Sequence, residues 1–406
     1  MHVLMVEPAF PRAQREHTRA LRAVGARVTG IGERPLESLD PELRSWLHGY
    51  ERVRRVTDEA ELESAVRRVQ ARGWVDRLEA TVESHVLGTA RVRARCGIPG
   101  TSERTAFLCR DKAAMKHALR EAGVACARST GVSDPESTRA FAREVGYPLI
   151  VKPLDAAGAK GVVRVDYEAG LERAIVEVGL DRGLPSALEE WVEGHEGFWD
   201  TLCVGGHVVH EFVSHYFPNV LEAMRARWIS PQIICTNRLE DPSYGELKDM
   251  GRRVLGVLGM ETSATHMEWF FGPKGLRFSE IGCRPPGVGM WDVYSAANDL
   301  DLYEEWARVV VHGGTDRRPS RRFAAGLIAL RPEGDGTIRG YEGLDRIRDR
   351  YGDRIVRQHF PEPGTPTQPV EAGYHANAWL IARHEDYDEL RRCLDDIGQT
   401  VRTLVR

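Results

Sequence analysis

No run of this chain is apolar for long enough to cross a membrane. The N-terminal MHVLMVEP has a short apolar run but no basic segment before it, so it reads as a first buried strand rather than a signal peptide. Cysteine is sparse. Cys96, Cys109, Cys126, Cys203, Cys235, Cys283 and Cys393 are scattered, odd in number and never spaced CxxC. That argues against a zinc site or a disulfide framework and favours a reducing cytoplasm. No surplus of base exists either: 56 Lys and Arg face 60 Asp and Glu, for a net charge of -4. The mixed patch at 51–55 therefore reads as a solvated face and not a nucleic-acid groove. Internal repeats and low-complexity segments are missing. So is the tight glycine fingerprint of a dinucleotide fold, because MVEPAFPR follows the first strand. What remains is a folded chain of 406 residues, 42% apolar and 29% charged, long enough for two or three domains.

The periodicity gives its organisation. A strand over 2–6, a helix over 14–24 and a strand over 27–31 predict a parallel sheet. Helices over 58–72 and 82–95 complete a first domain at 1–105. A helix over 111–122 carries Met115 and Leu119 on one face and stops at Gly123. Next come a helix over 134–145, strands over 148–152 and 162–166, a helix over 167–178 and a short strand over 188–192. A hairpin over 201–213 turns at Gly205 and Gly206, and helices follow over 249–258 and 302–311. From Phe323 the pattern is a small mixed α/β unit with strands over 324–329 and 376–382. In its last helix Leu390, Cys393, Leu394, Ile397, Val401 and Leu404 form a core stripe.

Three stretches carry chemistry. HMEWFFGPKGLRFSEIGCRPPG, from His266 to Gly287, holds two strand-like runs around the turn Gly272-Pro273-Lys274-Gly275. Antiparallel pairing brings Glu268 and Glu280 to one end of a sheet. Two carboxylates there repel and lose solvation unless Arg284, a lysine or a divalent metal joins them. Alone, the pair reads equally as one salt bridge and one solvated acid. Cys283 lies in this stretch, but no histidine-and-acid arrangement marks it as a nucleophile. YPLIVKPLDAAGAKGVVRV places Lys152 at a strand end before a loop with Gly158, Lys160 and Gly161. Small residues let backbone amides approach phosphate, though the GK[ST] ending of a Walker loop is missing and a plain hairpin stays open. In ALEEWVEGHEGFWDTLCVGG, Glu189 and Glu190 precede an apolar pair, and Glu196 lies seven residues after Glu189. One carboxylate suits an adenine amino group, exposed strand backbone suits the ring nitrogens, and a second carboxylate suits ribose hydroxyls. An acidic edge strand protected from aggregation is the alternative.

In this order, with the RDKAAMKHALREAGV helix ahead of them, the stretches resemble the ATP-grasp superfamily over about 105–315. The whole chain resembles its biotin-carboxylase-like branch, which includes carboxylate–amine ligases such as L-amino acid ligases. The resemblance implies an α/β (α+β) ATP-grasp fold: an N-terminal parallel-sheet domain at 1–105, an ATP-grasp domain at 106–318 with a mobile lid at about 125–187, and a C-terminal α/β unit at 319–406. It also implies roles. Lys112, Lys152 and the loop of Gly158, Lys160 and Gly161 hold ATP phosphates. Glu189 and the backbone from Glu190 to Val192 hold adenine, and Glu196 holds the ribose. Glu268 and Glu280 hold Mg2+, and Arg284 stabilises the reacting phosphate and the tetrahedral intermediate. Gly282 stands where the family often has an asparagine metal ligand.

The implied reaction is amide or peptide bond formation through an acyl phosphate, releasing ADP and phosphate, on amino-acid-like substrates in the cytoplasm. The expected partners are a small-molecule carboxylate and an amine. No nucleic acid or membrane is expected, and a homodimer is left open. The segment 215–232 reads as a substrate-covering loop contributing Arg225 and Arg227, or as a plain connection. His266 is a substrate-orienting candidate. His207, His210 and His215 share no ligand spacing and read as structural. A biotin carboxylase served by a separate carrier and a non-catalytic nucleotide-binding module are the rival functions.

Overall fold

The structure is a computed structural model that describes residues 1–153, 162–224 and 226–406. Its N-terminal sheet is parallel, in the order Gly49–Arg52, Arg27–Gly32, His2–Val6, Arg77–Glu79. Val3, Leu4, Met5 and Val6 are all fully buried, as expected of a central parallel strand covered on both faces. Helix Gln14–Ala23 ends where Gly25 takes φ 88°, a left-handed position that glycine adopts without steric cost. Strand Gly49–Arg52 went unforeseen because GYER shows no alternation. Its Glu51 is tied to Arg68 and Arg72.

A small antiparallel sheet follows, ordered Ser129–Val132, Ser186–Glu190, Leu149–Pro153, Val163–Val165. Helices Pro135–Val145 and Glu168–Glu177 accompany it, and it has its own apolar cluster around Leu149, Val151, Leu171 and Leu188.

The largest sheet has eight antiparallel strands. Their order is Gly275–Gly282, Ser263–Gly272, His195–Val204, His207–Phe217, Gln232–Cys235, Ala324–Leu330, Ala378–His384, Ile355–His359. The hairpin turning at Gly205 and Gly206 is longer than its predicted 201–213, because the strand continues through the acids at 196 and 200. The expected covering loop at 215–232 is shorter. His215, Tyr216 and Phe217 stay in the strand, Val220–Ala223 makes one helical turn, and Gln232 opens the next strand. Three C-terminal strands, Ala324–Leu330, Ala378–His384 and Ile355–His359, join this same sheet through Gln232–Cys235.

The last helix ends at Thr400, so its stripe is shorter than predicted. Val401 caps the helix and remains buried. Leu404 lies in strand Arg402–Val405, paired with Ile338–Glu342, and is 38% exposed. Helical spacing ceases to place a residue once the chain becomes extended.

Candidate active site

The site is one face of four neighbouring strands, set by the period of two. Glu268 lies directly opposite Glu280, and His266 opposite Gly282. On the other side of that strand, His266 lies opposite Asp200 and Phe270 opposite Glu196. Glu196 and Glu268 are therefore diagonal neighbours on one face. Tyr216 reaches the same face from the fourth strand and donates to Glu268 Oε1 at 3.4 Å.

Each acid has a distinct balance. Burial raises the Glu196 carboxyl, and the charges of Glu268 and Glu280 help bring it to about 8. One compensation is the Val220 N–H, which donates to Glu196 Oε2 at 2.7 Å. Burial would also raise Glu280, but Lys112, Lys152 and Lys116 outweigh it and hold Glu280 at about 2. Its direct partner is the Lys112 ammonium. His266 sits between Asp200, at 2.7 Å from Nδ1, and Glu268, at 3.5 Å from Nε2. Burial pulls against its proton, yet Asp200 and then Glu268 lift it to about 9, so it is an imidazolium at neutral pH. Tyr294 donates to the second Asp200 oxygen and fixes that carboxylate.

The lysines form the opposing wall. Lys112 opens helix Lys112–Glu121, whose Asp111 cap accepts from Ala113 and Ala114. One turn on, Lys116 is 1% exposed and pairs with Glu189. Lys152 reaches Glu189 from strand Leu149–Pro153. Burial, and then Lys112, pull the Lys152 ammonium down to about 8. Burial, and then Lys152, push the Lys116 ammonium well below the usual lysine range. Three crowded lysines thus face crowded carboxylates. Sequence reasoning missed Lys116, although its spacing of four from Lys112 was a usable signal.

The remaining expected residues are less central. Glu190 is held by Lys274 at 2.5 Å and by the Arg128 N–H at 3.2 Å. Val192 follows the end of the strand ladder. Arg227 pairs with Asp335 at 2.6 Å. Gly158, Lys160, Gly161 and Arg225 lie outside the described residues.

Arg284 donates through Nε to Glu83 Oε2 at 2.6 Å. Glu83 opens helix Glu83–Arg95 and was not foreseen. A Cβ on Gly282 would stand 3.2 Å from the same Glu83 oxygen. The absent side chain therefore makes room for a carboxylate from elsewhere in the chain, a relation that no local spacing reveals. Cys283 is buried and unbridged. His210 is buried against Glu305, and His215 hydrogen-bonds His195 and Tyr244, as structural histidines do.

The fold carrying this face is that of a known structure. An L-amino acid ligase from Bacillus licheniformis superposes with a TM-score of 0.77, covering 100% of this chain and 98% of that one at 18% identity. The family model described as carbamoyl-phosphate synthase L chain, ATP binding domain, matches residues 111–181, the segment of Lys112, Lys116 and Lys152. In sequence over that segment and in fold over its whole length, the chain is similar to ATP-grasp proteins. It is similar to an L-arginine-specific L-amino acid ligase of Bacillus subtilis, 26% identical over 85% of this chain and 84% of that one. It is also similar to an alanine–anticapsin ligase of Bacillus subtilis, 26% identical over 48% of the chain. That match spans 45% of the relative's length. No helix among the described residues is long and apolar enough to cross a membrane.

Proposed function

We propose that the chain is an ATP-dependent carboxylate–amine ligase that makes an amide or peptide bond between amino-acid-like substrates. One observation carries the reading: three lysines converge on Glu189 and Glu280 while Glu196, Glu268 and Glu280 crowd one sheet face. Each cluster is electrostatically costly alone. A polyphosphate on the lysine side and a divalent cation on the acid side relieve both.

The donor set fits Mg2+. Glu268 and Glu280 are hard oxygen donors placed face to face. No group of three candidate His, Cys, Asp or Glu ligands is assembled among the described residues, so phosphate oxygens and water would complete the shell. When bound, Mg2+ neutralises charge on the transferring phosphoryl group.

The chain's own residues do the rest. Lys112 and Lys152 bind the phosphates as point charges, with buried Lys116 behind them on Glu189. Glu189 keeps lone pairs beyond its two lysine contacts for an adenine amino group, and Glu196 faces the ribose. The carboxylate of the first substrate attacks the γ-phosphate, the β–γ bond breaks and ADP leaves. The amine then attacks the acyl phosphate, loses a proton and expels phosphate. Arg284, steadied by Glu83, stabilises the oxyanion of that step. Closure of the small sheet's unit, about 125–187, excludes water from the reactive intermediate.

The similarity along 84% of an L-amino acid ligase favours this reading over a carboxylase. Incubation with ATP, Mg2+ and paired amino acids tests it: amide and ADP should form together, whereas ATP turnover that requires bicarbonate would contradict it.

A further inference from the structure

Two buried polar atoms without a partner sit together at the edge of this site, Arg331 Nε and Tyr374 Oη. Arg331 directly follows strand Ala324–Leu330. Its Nη1 donates to the carbonyls of Ala223 and Ala226, and Nη2 meets only the Met224 sulfur, at 3.9 Å. The Nε–Nη2 edge of the guanidinium therefore has no oxygen partner among the described residues. That edge presents two parallel N–H groups and matches a carboxylate in bidentate fashion. The guanidinium carbon is 5.9 Å from the ring centroid of Tyr374, a residue only 6% exposed.

The position is informative. Ala223 ends the helical turn whose first N–H, on Val220, binds Glu196. Tyr374 shares an apolar cluster with Tyr216, whose hydroxyl reaches Glu268. The other cations of the site are engaged: Lys112 with Glu280, Lys116 and Lys152 with Glu189, Arg284 with Glu83. Arg331 makes no ion pair among the described residues. Glu371 acts on it only at a distance. A buried guanidinium fork and a buried phenol, both unsatisfied, are costly unless a ligand completes them.

We propose that the Nε–Nη2 edge of Arg331 and the Tyr374 hydroxyl bind the carboxylate of an amino acid that donates its amine to the acyl phosphate. This rests on the amide-forming reading and deepens it by naming the nucleophile's class. Lys112 and Lys152 serve the nucleotide phosphates and Arg284 serves the reacting carbonyl. A second substrate that keeps a free carboxylate needs a further cation, and among the described cations named above and Arg331, only Arg331 makes no ion pair. The Ala223 and Ala226 carbonyls hold the guanidinium in place before that substrate arrives.

The experiment compares three nucleophiles with wild type, Arg331→Lys and Tyr374→Phe: the best free amino acid from a panel of the twenty common ones, its primary amide, and hydroxylamine. Wild type should prefer the free acid to the amide by about tenfold or more. Both variants should raise KM for the free acid by about tenfold or more. Hydroxamate formation with hydroxylamine and KM for ATP should stay within about twofold of wild type in both. Equal use of acid and amide by wild type, unchanged KM for the free acid in both variants, or parallel loss with hydroxylamine would overturn the assignment. A rise in KM for ATP alone would assign Arg331 to the nucleotide instead. Tyr374→Phe removes one oxygen and keeps the Arg331 contacts, so it reads the cradle even if Arg331→Lys folds poorly. Absence of any hydroxamate from wild type across all acids would refute the ligase reading itself, and the cradle with it.

Discussion

Arg284 Nε and Glu83 Oε2 meet at 2.6 Å, joining the metal-candidate hairpin to the first helix turn of Glu83–Arg95. The contact places an N-terminal carboxylate beside Gly282, where a larger side chain would push against it. Glu83→Gln keeps the shape and removes the charge that orients Arg284. The expected result is a fall in kcat/KM of about tenfold to a hundredfold, read by ADP release, with the thermal midpoint nearly unchanged. Full activity would detach Glu83 from the reaction.

Glu280→Gln tests the facing pair. It removes one negative charge from the proposed metal site and the partner of Lys112. Turnover should drop by about a thousandfold or more, while circular dichroism still reports a folded chain. Undiminished ADP formation would sink the assignment of both glutamates.

The sequence carried much of this face. Strand period and the Gly-Pro-Lys-Gly turn predicted that Glu268 and Glu280 pair, and the structure places them as direct neighbours. Of the four N-terminal parallel strands, His2–Val6 and Arg27–Gly32 were legible from their apolar runs. Glu83 and Lys116 were not. Glu83 acts across more than two hundred positions of sequence, through a glycine that advertises only an absence. Lys116 is a fully buried lysine on a helix that propensity alone presents as amphipathic. Strand Gly49–Arg52 forms because its neighbour supplies hydrogen bonds, a tertiary effect that overrides a weak local pattern.

Glu196 gives a pH signature. Its folded value of about 8 lies above the ordinary 4.5. Being an acid raised on folding, it costs nothing below about 4.5. The cost grows as pH rises towards 8 and is complete above it. Glu196→Gln should therefore raise the melting temperature of the ligand-free protein at pH 8 more than at pH 5, while lowering nucleotide affinity. Equal shifts at both pH values would show that Glu196 is already ionised.

His266 has the opposite sign. A base raised from 6.5 to about 9 contributes stability that is fully present below 6.5 and lost as pH passes through 9. His266→Gln should cost more thermal stability at pH 6.5 than at pH 9.5. A loss independent of pH would mean that the Asp200–His266–Glu268 chain carries no proton.

Glu189 should make the enzyme prefer ATP to GTP, because a carboxylate accepts from the adenine amino group and repels the guanine carbonyl. Comparable kcat/KM for the two nucleotides would place the base elsewhere.

In the proposed reaction a carboxylate is activated by the γ-phosphate before the amine attacks. Heavy-oxygen label in the acid's carboxylate follows that step most directly. With the acid identified by hydroxamate formation, one labelled oxygen should appear in the released phosphate for each amide made, with ADP as the nucleotide product. Label retained wholly in the amide and unreacted acid, or appearing in AMP, would contradict an acyl phosphate.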